Sequence, residues 1–160
     1  MKFWDRFADF LATGFYISRI PTGITRFKKN TGAGLFGSIL ALLMTPLLPS
    51  SPLYFSLFLV MFAVLSLWAA RRASVNSGLT DDPKIVIDEM LGYWISIAFL
   101  ERRIFTLLAA FIFFRIIDTL KPWPIKNLEK RLPNGFGIII DDAIAGIEAN
   151  ILVRALLLVI

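Results

Sequence analysis

Residues 53–70 read LYFSLFLVMFAVLSLWAA, eighteen consecutive positions without a charged side chain. A helix of that length covers roughly 27 Å, close to the ~30 Å hydrocarbon thickness of a bilayer. A second apolar run, 34–48, precedes it, and only Pro49-Ser50-Ser51-Pro52 lies between. Two apolar runs joined by so short a proline-rich turn predict a helical hairpin, with a first arm short for a full crossing. The rest of the 160-residue chain follows suit, at 57% hydrophobic residues and a mean hydropathy of +0.71. Too few polar side chains are present to cover a water-soluble globule of this size. The expected fold class is all-α, an integral membrane helical bundle forming a single domain over residues 1–160.

Three further apolar segments carry charges. Residues 85–100 contain Asp88 and Glu89, 104–120 contain Arg115 and Asp118, and 138–160 contain Asp141, Asp142, Glu148 and Arg154. With the hairpin they make about five hydrophobic helices, the third of which also admits a re-entrant reading. Ahead of them, residues 1–30 form an interfacial segment. Trp4, Phe7 and Leu11 share one helical face there, Asp5 and Asp9 argue against a secretory leader, and a polar stretch from Ser18 to Asn30 follows.

The basic residues set the orientation. Thirteen Lys and Arg fall on the side of the N-terminus and two, Arg102 and Arg103, on the other. The positive-inside bias therefore predicts a cytoplasmic N-terminus and an outward C-terminus. The net charge of +5 lies in short clusters flanking apolar runs, which suits anionic lipid headgroups and not nucleic acid. With this topology Asp88 and Glu89 open one helix at the cytoplasmic side, Arg115 and Asp118 close the next, and Asp141 and Asp142 open the last. All six share one depth.

Charged groups inside apolar helices cost roughly 2.5 to 3.5 kcal/mol each, so they pair, face water or serve function. Arg115 and Asp118, at i and i+3, fit an intrahelical ion pair as well as a catalytic role. Asp141 and Asp142 fit simple charge complementarity at a helix start. Five carboxylates at one level, however, repel unless a cation sits among them or some are protonated. The chain has no His and no Cys, which excludes imidazole bases, thiolate nucleophiles and the usual zinc sites. Oxygen-only donors suggest a hard ion such as Mg²⁺. Carboxylate-held metal beside Arg115 and Lys121 makes a plausible phosphate-ester site. Gly32, Gly34 and Gly37 open the first span at the same level, where backbone N–H groups could meet an anion or the helices could pack closely. Beyond Lys121, Trp123 is an expected interfacial anchor, and Ile125, Leu128 and Leu132 mark the apolar face of a short surface helix. Arg154 is expected to snorkel at the far end.

Three blocks in order carry a resemblance. These are Ile85-Val86-Ile87-Asp88-Glu89-Met90-Leu91-Gly92-Tyr93-Trp94, Phe114-Arg115-Ile116-Ile117-Asp118-Thr119-Leu120-Lys121-Pro122-Trp123-Pro124-Ile125 and Gly135-Phe136-Gly137-Ile138-Ile139-Ile140-Asp141-Asp142-Ala143-Ile144-Ala145-Gly146. Together, over 85–146, they resemble the phosphatidylglycerophosphatase A family. The resemblance implies a Mg²⁺-dependent lipid phosphatase of the bacterial inner membrane, multi-pass, with its active site at the cytoplasmic face. Its substrate would be phosphatidylglycerophosphate and its products phosphatidylglycerol and inorganic phosphate. It implies a site made of Asp88, Glu89, Arg115, Asp118, Lys121, Asp141 and Asp142. From these we expect metal ligands among Asp88, Glu89, Asp141 and Asp142, and phosphate contacts from Arg115 and Lys121. In the N-terminal half, Ala33-Gly34-Leu35-Phe36-Gly37-Ser38 stands where the family tends to show Pro-Gly-Thr-x-Gly-Ser. The proline and threonine are lost, while Gly34, Gly37 and Ser38 remain as candidate phosphate-binding positions. Two other classes were weighed. An ion or proton translocator would use the same acids but string them across the membrane, and a CDP-alcohol transferase needs an Asp-Gly-x-x-Ala-Arg pattern that is absent. The sequence leaves oligomeric state open.

Overall fold

The computed structural model describes residues 3–24, 32–79, 82–122 and 136–160. Every regular element among them is helical. In chain order they are α1 (Phe3–Ala12), α2 (Arg19–Ile24), α3 (Ala33–Met44) with a 3₁₀ turn at Thr45–Leu47, α4 (Pro52–Ser77), α5 (Ile87–Ser96), α6 (Ile104–Leu120) and α7 (Phe136–Leu157). Pro52 at the first turn of α4 and the left-handed Gly78 just past its end punctuate that helix as their chemistry dictates.

The helix α5 is the axis of the molecule. Eight of its ten residues are buried, and α3, α4, α6 and α7 pack around it. A helix apolar on all sides has no solvent face and belongs at the centre. Trp94 is its main anchor. Its indole meets the rings of Phe58 and Phe62 edge-on, at centroid distances of 5.2 and 4.7 Å, and its Nε1–H donates to the Ala41 carbonyl at 2.9 Å. Tyr93 turns the other way and donates to the Leu107 carbonyl of α6 at 3.3 Å.

Several expectations change here. The segment 85–100 forms a helix only over Ile87–Ser96, about 15 Å long, half of a hydrocarbon core. Its free end is closed by α7: the Asn150 amide donates to the Ser96 and Ala98 carbonyls at 2.9 and 3.0 Å, and Arg154 donates to the Ala98 carbonyl at 3.0 Å. Arg154, itself exposed, thus braces the turn that follows α5. Part of the polar stretch after Ser18 is helical, as α2. Asp141 and Asp142 lie in the second turn of α7, with no acid in the first, so a helix-start charge effect does not account for them. Trp123 and the surface helix around Ile125, Leu128 and Leu132 lie outside the described residues.

Among the described residues one helix, α4, is long and apolar enough to cross a membrane by itself. The others fall short for separate reasons: α3 has 12 residues, α6 has 17, and α7 carries four charged side chains. The outer surface is nonetheless apolar in continuous stripes. Ile104, Leu108, Ile112, Ile116 and Leu120 stand exposed every fourth residue along α6, and Leu53, Leu57, Val60, Met61 and Val64 along α4. Contiguous exposed apolar stripes of this kind mark membrane or protein interaction surfaces.

Candidate active site

The predicted site residues meet at one end of the bundle. The start of α5 is fixed there by its neighbours: the Val86 N–H donates to the Ala12 carbonyl at 2.8 Å, and Ser18 Oγ donates to the Lys84 carbonyl at 2.6 Å. Gly37 of α3 makes the approach possible, since a Cβ there would stand 2.7 Å from Val86 Cβ and 2.8 Å from its carbonyl oxygen. The N-terminal segment therefore has a structural task, to hold the first turn of α5 in place. That turn carries Asp88 and Glu89.

Of the five carboxylates, two are matched by cations. Arg115 Nη1 lies 2.7 Å from Asp118 Oδ2, and the same nitrogen donates to Ser38 Oγ at 3.3 Å, while Ser38 in turn donates to the Gly34 carbonyl at 3.0 Å. Lys121, in the left-handed conformation (φ 42°) that ends α6, extends its Nζ to Asp141 Oδ2 at 2.6 Å. Asp141 Oδ1 also accepts from the Asp142 N–H at 3.1 Å.

The other three carboxylates converge. Asp88, Glu89 and Asp142 each place an oxygen within 4.8 Å of the others. At that separation a pair of full charges repels by roughly 3 to 4 kcal/mol at an effective dielectric near 20. Asp88 Oδ1, Glu89 Oε2 and Asp142 Oδ2 are buried and accept no hydrogen bond. Three orphaned acceptors of like charge aimed at one point fit a hard divalent cation, whose oxygen-donor preference this set meets. Asp141, expected among the ligands, is instead turned to Lys121. Gly34 sits against this cluster, and any Cβ on it would collide with Glu89 Oε1.

Two residues of the site escaped the sequence reading. Gly92 and Gly146 put α5 and α7 in backbone contact behind the acids: a Cβ on Gly92 would lie 2.7 Å from the Asp142 carbonyl oxygen, and one on Gly146 would collide with the Gly92 carbonyl oxygen. A signal was present. Asp88 precedes Gly92 by four residues and Asp142 precedes Gly146 by four, so in each helix acid and glycine share one face.

A family model, Phosphatidylglycerophosphatase A, matches residues 10–157. The chain belongs to the phosphatidylglycerophosphatase A family. It is accordingly an enzyme, a phosphatase. Phosphatidylglycerophosphatase A of Haemophilus influenzae is 35% identical over 147 residues, covering 91% of this chain and 86% of that protein. Phosphatidylglycerophosphatase A of Escherichia coli is 34% identical over 122 residues, covering 74% and 71%. A Bacteroides thetaiotaomicron protein with the provisional name phosphatidylinositol-3-phosphatase is 32% identical over 149 residues, covering 89% of each chain. No solved structure matches. The matched region of the family contains every residue of the cluster and also α2 to α4, beyond the three blocks legible in the sequence.

Proposed function

We propose that this protein removes the terminal phosphate of phosphatidylglycerophosphate, yielding phosphatidylglycerol and inorganic phosphate, in a Mg²⁺-dependent reaction. It would do so as a single helical domain in the bacterial inner membrane, with α5 re-entrant and the acid cluster at the cytoplasmic face where lipid headgroups lie. The observation that carries the reading is charge accounting. Arg115 is matched to Asp118 and Lys121 to Asp141, while Asp88, Glu89 and Asp142 converge, each with one buried carboxylate oxygen that accepts no hydrogen bond. Three carboxylates this close repel unless some are protonated or a cation sits among them, and a bound divalent ion offsets them directly.

Asp88, Glu89 and Asp142 would hold the ion, which when bound supplies Lewis-acid stabilisation of charge on the phosphoryl oxygens and makes water a better nucleophile. The residues do the rest. Arg115 and Lys121 border the trio and offset the phosphate's negative charge. Ser38 and Asp118 hold the Arg115 guanidinium in one orientation, so little ordering remains to be done when substrate enters. Gly34 contributes room for the Glu89 carboxylate. Glu89 is better placed than Asp118 to take the proton of the attacking water, because Asp118 is engaged by Arg115. The new P–O bond forms to water, the bond to the glycerol oxygen breaks, and that oxygen leaves as the headgroup alcohol with the proton that Glu89 took from the water. A translocator would need acids distributed along a path, whereas these occupy one end of the bundle.

Phosphate release from phosphatidylglycerophosphate in detergent, with and without EDTA, for wild type and Asp142→Asn, tests the reading. Activity surviving both treatments refutes it. Phosphatidylinositol 3-phosphate belongs in the same assay, since it shares the lipid phosphomonoester and the Bacteroides relative's name points to it.

A further inference from the structure

An open groove of about 620 Å³ runs along the outer face of α4 beside α1, within the range of about 300 to 1,000 Å³ usual for small-ligand sites. None of its residues belongs to the acid cluster. It is graded along its length. Val64 and Leu67 line the part nearer the middle of α4, Trp68 follows, and Arg71, Arg72, Val75 and Asn76, with Asp5 of α1, line the part nearer its C-terminal end. The α4 positions recur at i, i+3, i+4, i+7 and i+8, one stripe of a helix passing from oily to cationic. The indole of Trp68 packs against Phe7 at 6.3 Å, extending the exposed aromatic face of Phe3 and Trp4 on α1. Aromatic rings at the point where an apolar helix turns cationic mark the headgroup level of a bilayer.

The two arginines differ. Arg72 Nε is engaged by Asp5 at 2.9 Å, so most of its charge is offset. Arg71 is exposed, and no partner engages it among the described residues. One uncompensated cation above an apolar trough matches one negative charge above an acyl chain. We propose that this groove is a binding site for an anionic phosphodiester lipid, non-catalytic and separate from the acid cluster. The lipid's phosphate meets Arg71 and its chain lies along Val64 and Leu67. The inference rests on α4 being membrane-embedded and not on the catalytic assignment.

Native mass spectrometry of the detergent-solubilised full chain tests it, with titration by phosphatidylglycerol, by phosphatidylcholine of the same chains, and by inorganic phosphate as competitor. Wild type should bind phosphatidylglycerol more tightly than phosphatidylcholine. Arg71→Gln should lower phosphatidylglycerol affinity by about fivefold, the contribution of one basic residue at an anionic surface, and leave phosphatidylcholine unchanged. Val75→Glu, at an exposed position lining the same groove, should weaken phosphatidylglycerol by repulsion. Both variants should hydrolyse a short-chain phosphatidylglycerophosphate within twofold of wild type, which separates the groove from product binding at the acid cluster. Equal affinity of wild type for the two lipids, unchanged phosphatidylglycerol binding by both variants, or displacement of the lipid by inorganic phosphate each overturns the proposal. A wild-type protein that binds lipid as described but fails to release phosphate would count against the proposed function alone.

Discussion

A single methyl group added at Gly34 should disable the site without unfolding the protein. The new Cβ would overlap Glu89 Oε1, stand 2.9 Å from Glu89 Cδ where ordinary contact begins at 3.4 Å, and lie 3.2 Å from Arg115 Nη1. The carboxylate must withdraw, because α3 cannot: Gly37, one turn along, is already seated on Val86. Overpacking of this kind costs about 1 to 3 kcal/mol, and replacing a helical glycine by alanine returns up to about 1 kcal/mol, so net destabilisation stays near 1 to 2 kcal/mol. Function responds more strongly, since moving a catalytic group by about 1 Å can cost on the order of 100-fold in rate. The expectation for Gly34→Ala is a kcat on phosphatidylglycerophosphate lowered by about that factor, a raised Mg²⁺ requirement and a small loss in Tm. The decisive comparison is Glu89→Asp, whose shorter side chain vacates the space. In that background Gly34→Ala should cost less than tenfold, a non-additivity expected only if the two groups touch. A Gly34→Ala enzyme within threefold of wild type, or an equal loss in both backgrounds, refutes the reasoning.

Gly146→Ala should act on stability instead, because its clash is with the backbone carbonyl of Gly92 and no rotamer change relieves it; thermal unfolding in detergent should show a loss of about 3 kcal/mol or failure to fold. Arg115→Lys keeps the charge but shortens the reach of the one donor, Nη1, that meets both Asp118 and Ser38, and the expected result is a kcat/KM down by ten- to 100-fold with Tm nearly unchanged. Lys121→Met removes a charge-assisted bond to the buried Asp141, and chemical denaturation should report about 2 kcal/mol lost together with a higher KM. With direct attack by water, single-turnover hydrolysis in labelled solvent should place the label in inorganic phosphate and none in any aspartate or glutamate side chain.

The sequence alone determined the helical class, the limits of α6 and the membership of the acidic set, but not the expected hairpin, since α3 and α4 pack on α5 and not on each other. The reason is local: apolar runs, prolines and charges at run ends act over a few residues, and α3 and α6 begin and end close to where those signals fall, whereas α4 begins there but runs past Ala70 to Ser77. Alternation of direction along the chain was enough to bring Asp88, Glu89, Arg115, Asp118, Asp141 and Asp142 to one end. Only the tertiary structure decided how they divide. Asp141 and Asp142 are neighbours in sequence but point about 100° apart around α7, so one faces Lys121 and the other α5. Which of them faced inward depended on the rotation of α7 against α5, and that is set where Gly92 and Gly146 let two backbones touch. The re-entrant reading of 85–100 admitted a short α5, but its end point depended on Asn150, from a helix more than fifty residues away, which caps the Ser96 carbonyl. Charge at a helix end is written locally, but charge left over after pairing depends on contacts between helices.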